Sequence, residues 1–124
     1  AKVVTVEPEG AAKLERSLAA GRRVTLEKTG SIADGLLPVS VGALNWEHLS
    51  RFVDQAVTVS EGELRGAVRY ALDRLKLVVE PSGAATLAWL LGQEPGAAPG
   101  PVVLVLSGGN VEWEGLAALF AEGA

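Results

Sequence analysis

Apolar and polar positions alternate along this chain in two rhythms. Short β-branched runs, "VVTV" at 3–6 and "AVTVS" at 56–60, have the length and composition of strands. Glu7-Pro8 predicts the opening of a helix, because proline is pre-organised for a first helical turn. That helix runs through Leu14 and Leu18 and stops at Gly21. "RRVTLEK" at 22–28 reads as a second extended piece. "TGSIADGLLPVSVG" at 29–42, rich in turn formers, reads as a long irregular segment. A further helix is predicted over "NWEHLSRFVDQ" at 45–55, with Trp46, Leu49 and Phe52 or Val53 on one face.

The second half continues the alternation. Ser60 and Glu63 have capping-box spacing, in which hydroxyl and carboxylate satisfy the free amides of a helix start. From there Leu64, Ala67, Val68, Ala71, Leu72 and Leu75 keep a helical apolar stripe. "LVVE" at 77–80 precedes Pro81 and a helix, "PSGAATLAWLL", closed by Gly92. The loop "GQEPGAAPGP" leads to "VVLVL" at 102–106, a continuous apolar run that reads as a strand buried on both faces. A last helix covers about Trp113 to Ala121. Strands alternating with helices predict an α/β fold: a parallel sheet flanked by helices on both faces. Ligands of such sheets bind at the carboxyl ends of the strands, and Ser107 stands at that end of the 102–106 run.

Composition narrows the chemistry. With 124 residues, 48% of them hydrophobic, and a net charge of −4, the chain suits one globular domain or part of a larger one. The mild acidity, and the lack of a basic stripe with interleaved aromatics, predict no nucleic-acid partner. No apolar stretch reaches the ~18 residues that span a bilayer, so no membrane segment is expected. "AKVVTVEPEG" lacks the charged segment and apolar core of a secretory signal, and a cytoplasmic protein is expected. There are no cysteines and one histidine, His48, which rules out thiolate chemistry and multi-histidine metal sites within these residues.

Candidate chemistry gathers around Ser107. A hydrolase elbow needs glycine two residues before the serine, where Val105 stands, and His48 lies in an amphipathic helix. Gly108, Gly109 and Asn110 could present amides to an anion, or simply form a tight turn. Glu7 and Glu80 both end apolar runs and precede proline. Each is either a charge near a helix start or a carboxylate at the ligand edge. They also head an internal echo, "EPEGAAKL" at 7–14 and "EPSGAATL" at 80–87, which reads as one helix-start chemistry reached twice.

Four stretches, taken in order, carry a resemblance: "VVTVEPEGAAKLERSLAAG" near the start, "SIADGL" at 31–36, the run from Val57 to Leu91, and "VVLVLSGGNV" at 102–111. The chain resembles the threonine dehydratase and serine racemase family, pyridoxal-phosphate enzymes of the second fold type. The resemblance implies the C-terminal part of a tryptophan-synthase β-like fold. Residues 1–124 would then belong to the large cofactor-binding domain. The Schiff-base lysine and the glycine-rich phosphate loop of the family lie in an N-terminal half that is absent here. Lys2, Lys13, Lys28 and Lys76 do not occupy that lysine's motif. The resemblance further implies an ammonia-lyase of threonine or serine that yields a 2-oxo acid, completed by its N-terminal half and assembled as a homo-oligomer. The chain alone is expected to be inactive. Alternatives are a serine racemase, a hydroxyaspartate dehydratase, or a non-catalytic binding domain on the same scaffold.

Site residues carry over one by one. Ser107 matches the serine that hydrogen-bonds the pyridine nitrogen of the cofactor. A neutral hydroxyl does not enforce ring protonation as an aspartate would, which suits β-elimination. Gly108 and Gly109 would let the ring edge approach the backbone, and Glu80 and Gly35 match positions near cofactor and substrate. In metal-activated members a glutamate, a carbonyl four residues on, and an acid two further bind a divalent ion. Glu7 and Ala11 match the first two, but Lys13 takes the third place and argues against a metal.

Overall fold

A computed structural model of the chain describes residues 1–97 and 100–121. Two strands form its sheet, β1 (Val4–Pro8) and β2 (Gln55–Val59), paired in parallel from Val4 opposite Gln55 to Pro8 opposite Val59. Asp54 sets the register: its carboxylate accepts from the Val3 amide at 2.6 Å, and its own amide donates to the Val3 carbonyl at 2.9 Å. Among the described residues, five α-helices follow the order predicted by the apolar pattern: α1 (Lys13–Ala20), α2 (Ala43–Phe52), α3 (Glu61–Tyr70), α4 (Ala85–Leu91) and α5 (Trp113–Ala121). Both α1 and α4 pack on both strands. Val6 joins the core formed with α3 and α4, while its neighbour Glu7 bonds the start of α1. Successive strand residues face opposite sides, so the sheet carries a helix on each face. This is the expected α/β arrangement with a parallel sheet.

The core is centred on α3 and α4. Leu64, Ala67, Val68 and Ala71 of the predicted stripe are buried against Ala84, Ala85, Leu87 and Ala88, with Val59 beneath them. Alanines on both helices let the axes approach closely. The capping box is present: Ser60 Oγ accepts from the Glu63 amide at 3.3 Å, and Glu63 Oε2 accepts from the Ser60 amide at 2.7 Å. The stripe ends before Leu75. After Tyr70 the helix widens into a π turn over Ala71–Leu75, which leaves Leu75 exposed. Lys76, at φ 59°, closes it, with its ammonium on the Asp73 carbonyl at 2.6 Å.

Three predicted elements differ. Glu7-Pro8 does not open a helix: the chain stays extended through Pro8, makes a tight turn over Glu9–Ala11, and enters α1 only at Lys13. Nor does Pro81 start one, since a turn at 81–84 precedes α4. In both places the helix start is fixed by contacts from elsewhere in the fold, described below. The run 102–106 pairs with no strand among the described residues and is buried on one face only. Leu104 and Leu106 pack on the core, whereas Val103 and Val105 are 87% and 69% exposed. Burial on both faces needs a layer on each side, and the described residues cover only one. Of the smaller pieces, 22–28 contributes a single antiparallel bridge, Thr25 to Ser40. The half-buried face of α2 takes Trp46 and Leu49, then Val53 just after it, with Phe52 exposed. Residues 98 and 99 of the predicted loop lie outside the described residues.

The capping box makes a pH-dependent contribution. Hydrogen bonds from the Ser60 amide and hydroxyl hold the Glu63 carboxyl below the usual carboxylate range. A group so lowered stabilises the fold above its unfolded pKa, and the contribution is lost as pH falls through the lowered value. Ser60→Ala is expected to cost about 1 kcal/mol at neutral pH. Glu63→Gln should cost stability at pH 7 and progressively less toward acid, measured by urea denaturation. A cost that stays constant across the carboxylate range contradicts the assignment.

Candidate functional site

Ser107 is carried to its position by contacts with the start of α4. Thr86 Oγ1 donates to the Val105 carbonyl at 3.0 Å, holding the 102–106 run along the helix. Two residues further, the chain passes so near Gly83 that a Cβ there would lie 1.5 Å from the Ser107 carbonyl oxygen. Glu80 then closes a clasp. Its amide donates to the Gly108 carbonyl at 3.1 Å, and its Oε2 accepts from the Asn110 amide at 3.0 Å. Gly108 has φ +82°, and its Cβ would fall 2.4 Å from Glu80 Oε1; at Gly109 the Val78 carbonyl lies 3.0 Å from the Cβ position. The left-handed backbone at Gly108 favours glycine, and the chain's own close approaches leave little room for a Cβ at either position. The Ser107 hydroxyl is exposed at the rim and hydrogen-bonds nothing among the described residues.

Gly35 reaches the same place from the other half of the chain. Its amide donates to Ser82 Oγ at 2.9 Å and to its neighbour Asp34 Oδ1 at 2.8 Å, and Ser82 Oγ lies 3.5 Å from that same carboxylate oxygen. A Cβ on Gly35 would come within 3.0 Å of Ser82 Oγ and 4.0 Å of Glu80 Oε1. The segment is anchored upstream by Glu61 of α3, which accepts from Ser31 Oγ at 2.5 Å and from the Ile32 amide at 2.9 Å. The structure thus brings Glu80, Gly108, Gly109 and Gly35 into one cluster with Ser107 at its edge. Sequence reasoning did not single out Ser82, Asp34 or Glu61. All three lie inside the family-like stretches, and Glu61 reads only as an acidic residue in a first helical turn. The Asn110 amide, one of those that could face an anion, is engaged by the carboxylate of Glu80.

Glu7, Ala11 and Lys13 form a separate cluster at the exit of β1. Glu7 is buried and accepts from the Leu14 amide at 3.1 and 2.9 Å and from the Glu15 amide at 3.0 Å. Lys13 Nζ lies 3.2 Å from Glu7 Oε1 and donates to the Ala11 carbonyl at 3.4 Å and the Leu36 carbonyl at 2.9 Å. A divalent ion needs a shell of oxygens, and an ammonium stands among them. No group of three or more acidic, histidine or cysteine residues among the described residues could hold a metal ion. These residues do not fit the family's metal site.

The other engaged lysines are Lys2, bonded to Gln55 Oε1 at 2.9 Å, and Lys76, at the end of the π turn. A cavity of about 1010 Å³ lies away from the Glu80 cluster, between Val4 and Val6 of β1, Trp89 and Leu90 of α4, and Val102–Leu104. It is a slot beside a strand edge that is unpaired among the described residues.

The fold is a parallel α/β layer whose serine-glycine-glycine edge is closed by the Glu80 clasp. Residues 1–108 match the model of the pyridoxal-phosphate dependent enzyme family, and the chain belongs to that family. It is 39% identical over 116 residues to the serine racemase of Arabidopsis thaliana, covering 90% of this chain and 35% of that protein. To the L-threonine ammonia-lyase of Geobacter sulfurreducens it is 35% identical over 111 residues, 90% of this chain and 28% of that one. The structure of maize serine racemase superposes with a TM-score of 0.85 at 32% identity, over 98% of this chain and 38% of that one. The chain spans about a third of the length of the curated relatives it matches. The family cofactor is pyridoxal phosphate. The residues present fit one edge of it: the exposed Ser107 hydroxyl, without a hydrogen bond among the described residues, beside the Glu80 clasp.

Gly83 tests that clasp. Gly83→Ala places a methyl against the Ser107 carbonyl, which must move or push α4 away. Overpacking of this kind typically costs about 1–3 kcal/mol. Urea denaturation should show that loss, and the Gly108 and Asn110 amide resonances should shift. Parent stability with unshifted resonances contradicts the close approach.

Proposed function

We propose that these residues form one wall of a pyridoxal-phosphate dependent ammonia-lyase that takes threonine or serine and releases ammonia and a 2-oxo acid. The observation that carries this reading is the Ser107 hydroxyl, unpartnered among the described residues at the rim of the Glu80 clasp. The bound cofactor supplies an electron-accepting ring that lets the α-proton of an amino acid leave. Ser107 offers the ring nitrogen a neutral hydrogen-bond partner, which limits how strongly the ring withdraws electrons and favours loss of the β-hydroxyl. Glu80 contributes by fixing the backbone on either side of Gly109, and Ser82 with Asp34 holds Gly35 against the same edge.

An N-terminal half of the same enzyme supplies the Schiff-base lysine and the phosphate loop in this reading. The exposed valines 103 and 105 and the slot beside β1 support a cover of that kind, as does the one-third share of the relatives' length. The assembled protein is proposed to be a homo-oligomer. Racemisation of serine is the second reading, favoured by the 39% identity to a plant serine racemase. Both begin at the α-carbon and part at the fate of the β-hydroxyl.

The test is product analysis on the intact protein that carries residues 1–124. Threonine should give 2-oxobutyrate and serine should give pyruvate, each with equimolar ammonia. D-serine as the main product selects the racemase reading. Ser107→Ala should keep the fold but lower elimination by roughly ten- to a hundredfold, the ~1–3 kcal/mol cost of a buried polar atom left unpaired. Elimination at the parent rate with unchanged cofactor affinity reduces Ser107 to a turn residue. The isolated 124-residue chain should form no 2-oxo acid.

A further inference from the structure

We propose that the Lys13 ammonium is a tethered internal cation: it takes the place of a divalent ion and staples the Gly35 segment to the exit of β1. Two of its oxygen neighbours come from the stretch just before it, residues 7 to 11, and the third from the distant 31–36 segment. They are Glu7 Oε1 at 3.2 Å, the Ala11 carbonyl at 3.4 Å and the Leu36 carbonyl at 2.9 Å. One carboxylate and two carbonyls, one of them from a distant segment, are oxygen donors of the kind a hard cation collects. An ammonium has three donors and no acceptor, so three oxygens satisfy it. The cluster is shielded, with the lysine and glutamate side chains 12% and 6% exposed. A divalent ion entering it would meet a positive charge already in contact with these three oxygens. Lys13 would have to leave, stripped of its partners, before the ion could bind.

Leu36 gives this cation a purpose beyond local charge balance. It follows Gly35, whose amide is bonded to Ser82, two residues from Glu80. The segment from Ser31 to Leu36 is thus fastened at one end by Glu61 and at the other by Lys13, with the Ser82 contact between. Lys13 is a positioning residue for this edge. That consequence for the reaction rests on the reading proposed above, whereas the cation substitution stands on the geometry of Lys13 alone.

The experiment reads the cation directly, on the intact protein, without relying on turnover. Chelator-treated parent protein is titrated with CaCl2 and MgCl2 by calorimetry, and amide exchange is followed at Leu36 and Leu37, whose amides bond Ala33 and Asp34. The parent should bind neither ion at Glu7, with exchange indifferent to both. Lys13→Met should speed exchange of these two amides by about tenfold or more, as expected when a local anchor is released. Lys13→Asp should take up Ca²⁺ stoichiometrically, and Ca²⁺ should slow the exchange again, a rescue that a merely structural lysine would not permit. Stoichiometric Ca²⁺ binding by the parent, abolished by Glu7→Gln, overturns the proposal. So does parent-like exchange in Lys13→Met, or a Lys13→Asp protein that binds no Ca²⁺. Should both variants fail to fold, the parent titration still decides. A missing lyase activity alongside these results would count against the reaction assigned above and leave the cation role intact.

Discussion

Glu7 ends β1 with its carboxylate buried, and a carboxylate in that position is tolerable only when its oxygens are fully engaged. Here they accept three contacts from the amides of Leu14 and Glu15 and meet the Lys13 ammonium. Those amides are among the free donors of the first turn of α1, which carries no side-chain cap from the residue before it. One glutamate therefore neutralises a helix start, fixes the angle at which the chain leaves the sheet, and holds the lysine that reaches Leu36. Removing it would leave two amides without partners and the ammonium without its counter-charge, in the layer between sheet and helix.

Glu80 does related work with a longer reach. Like Glu7 it precedes proline, and in both places a tight turn separates the proline from the helix that follows. The echo between the two octapeptides is thus an echo of path: extended chain, proline, turn, then helix. The carboxylates divide the labour. Glu7 serves the helix a few residues on, whereas Glu80 crosses to Asn110, 30 positions along the chain, and ties the 108–110 stretch to the segment ahead of α4. A short-range cap organises an element; the long-range one organises an edge.

Helix existence, the capping box at Ser60 and the alternation of strands with helices were legible because each depends on neighbours within a few residues. The stripe from Leu64 to Ala71 lies where its spacing puts it. What was not legible depends on partners beyond the reach of one helical turn. Proline favours a first helical turn, yet Glu7 reaches seven and eight residues on to set the start of α1, and Gly83 must stay close to Ser107. The end of α3 misled for another reason: a lysine, not a glycine, adopts the left-handed conformation at position 76. At the candidate site the glycines were visible as glycines, but not what fills the space of their missing Cβ atoms. That space belongs to Glu80 and to the Val78 carbonyl.

The 102–106 run shows why the serine stands where it does. Leu104 and Leu106 turn inward, and the alternation of an extended chain puts Val103, Val105 and then Ser107 on the opposite, uncovered side. A lone exposed valine needs no explanation, but two of them on a run that pairs with no strand among the described residues, leading to a hydroxyl with no partner among them, form a continuous face. Any layer that buries those valines also dries the surroundings of Ser107. In water the hydroxyl exchanges partners freely and discriminates little; once dried, it must bond whatever polar atom lies opposite or lose that energy outright. The same apolar alternation that leaves this strand half-buried thus makes its terminal hydroxyl selective when the face is covered.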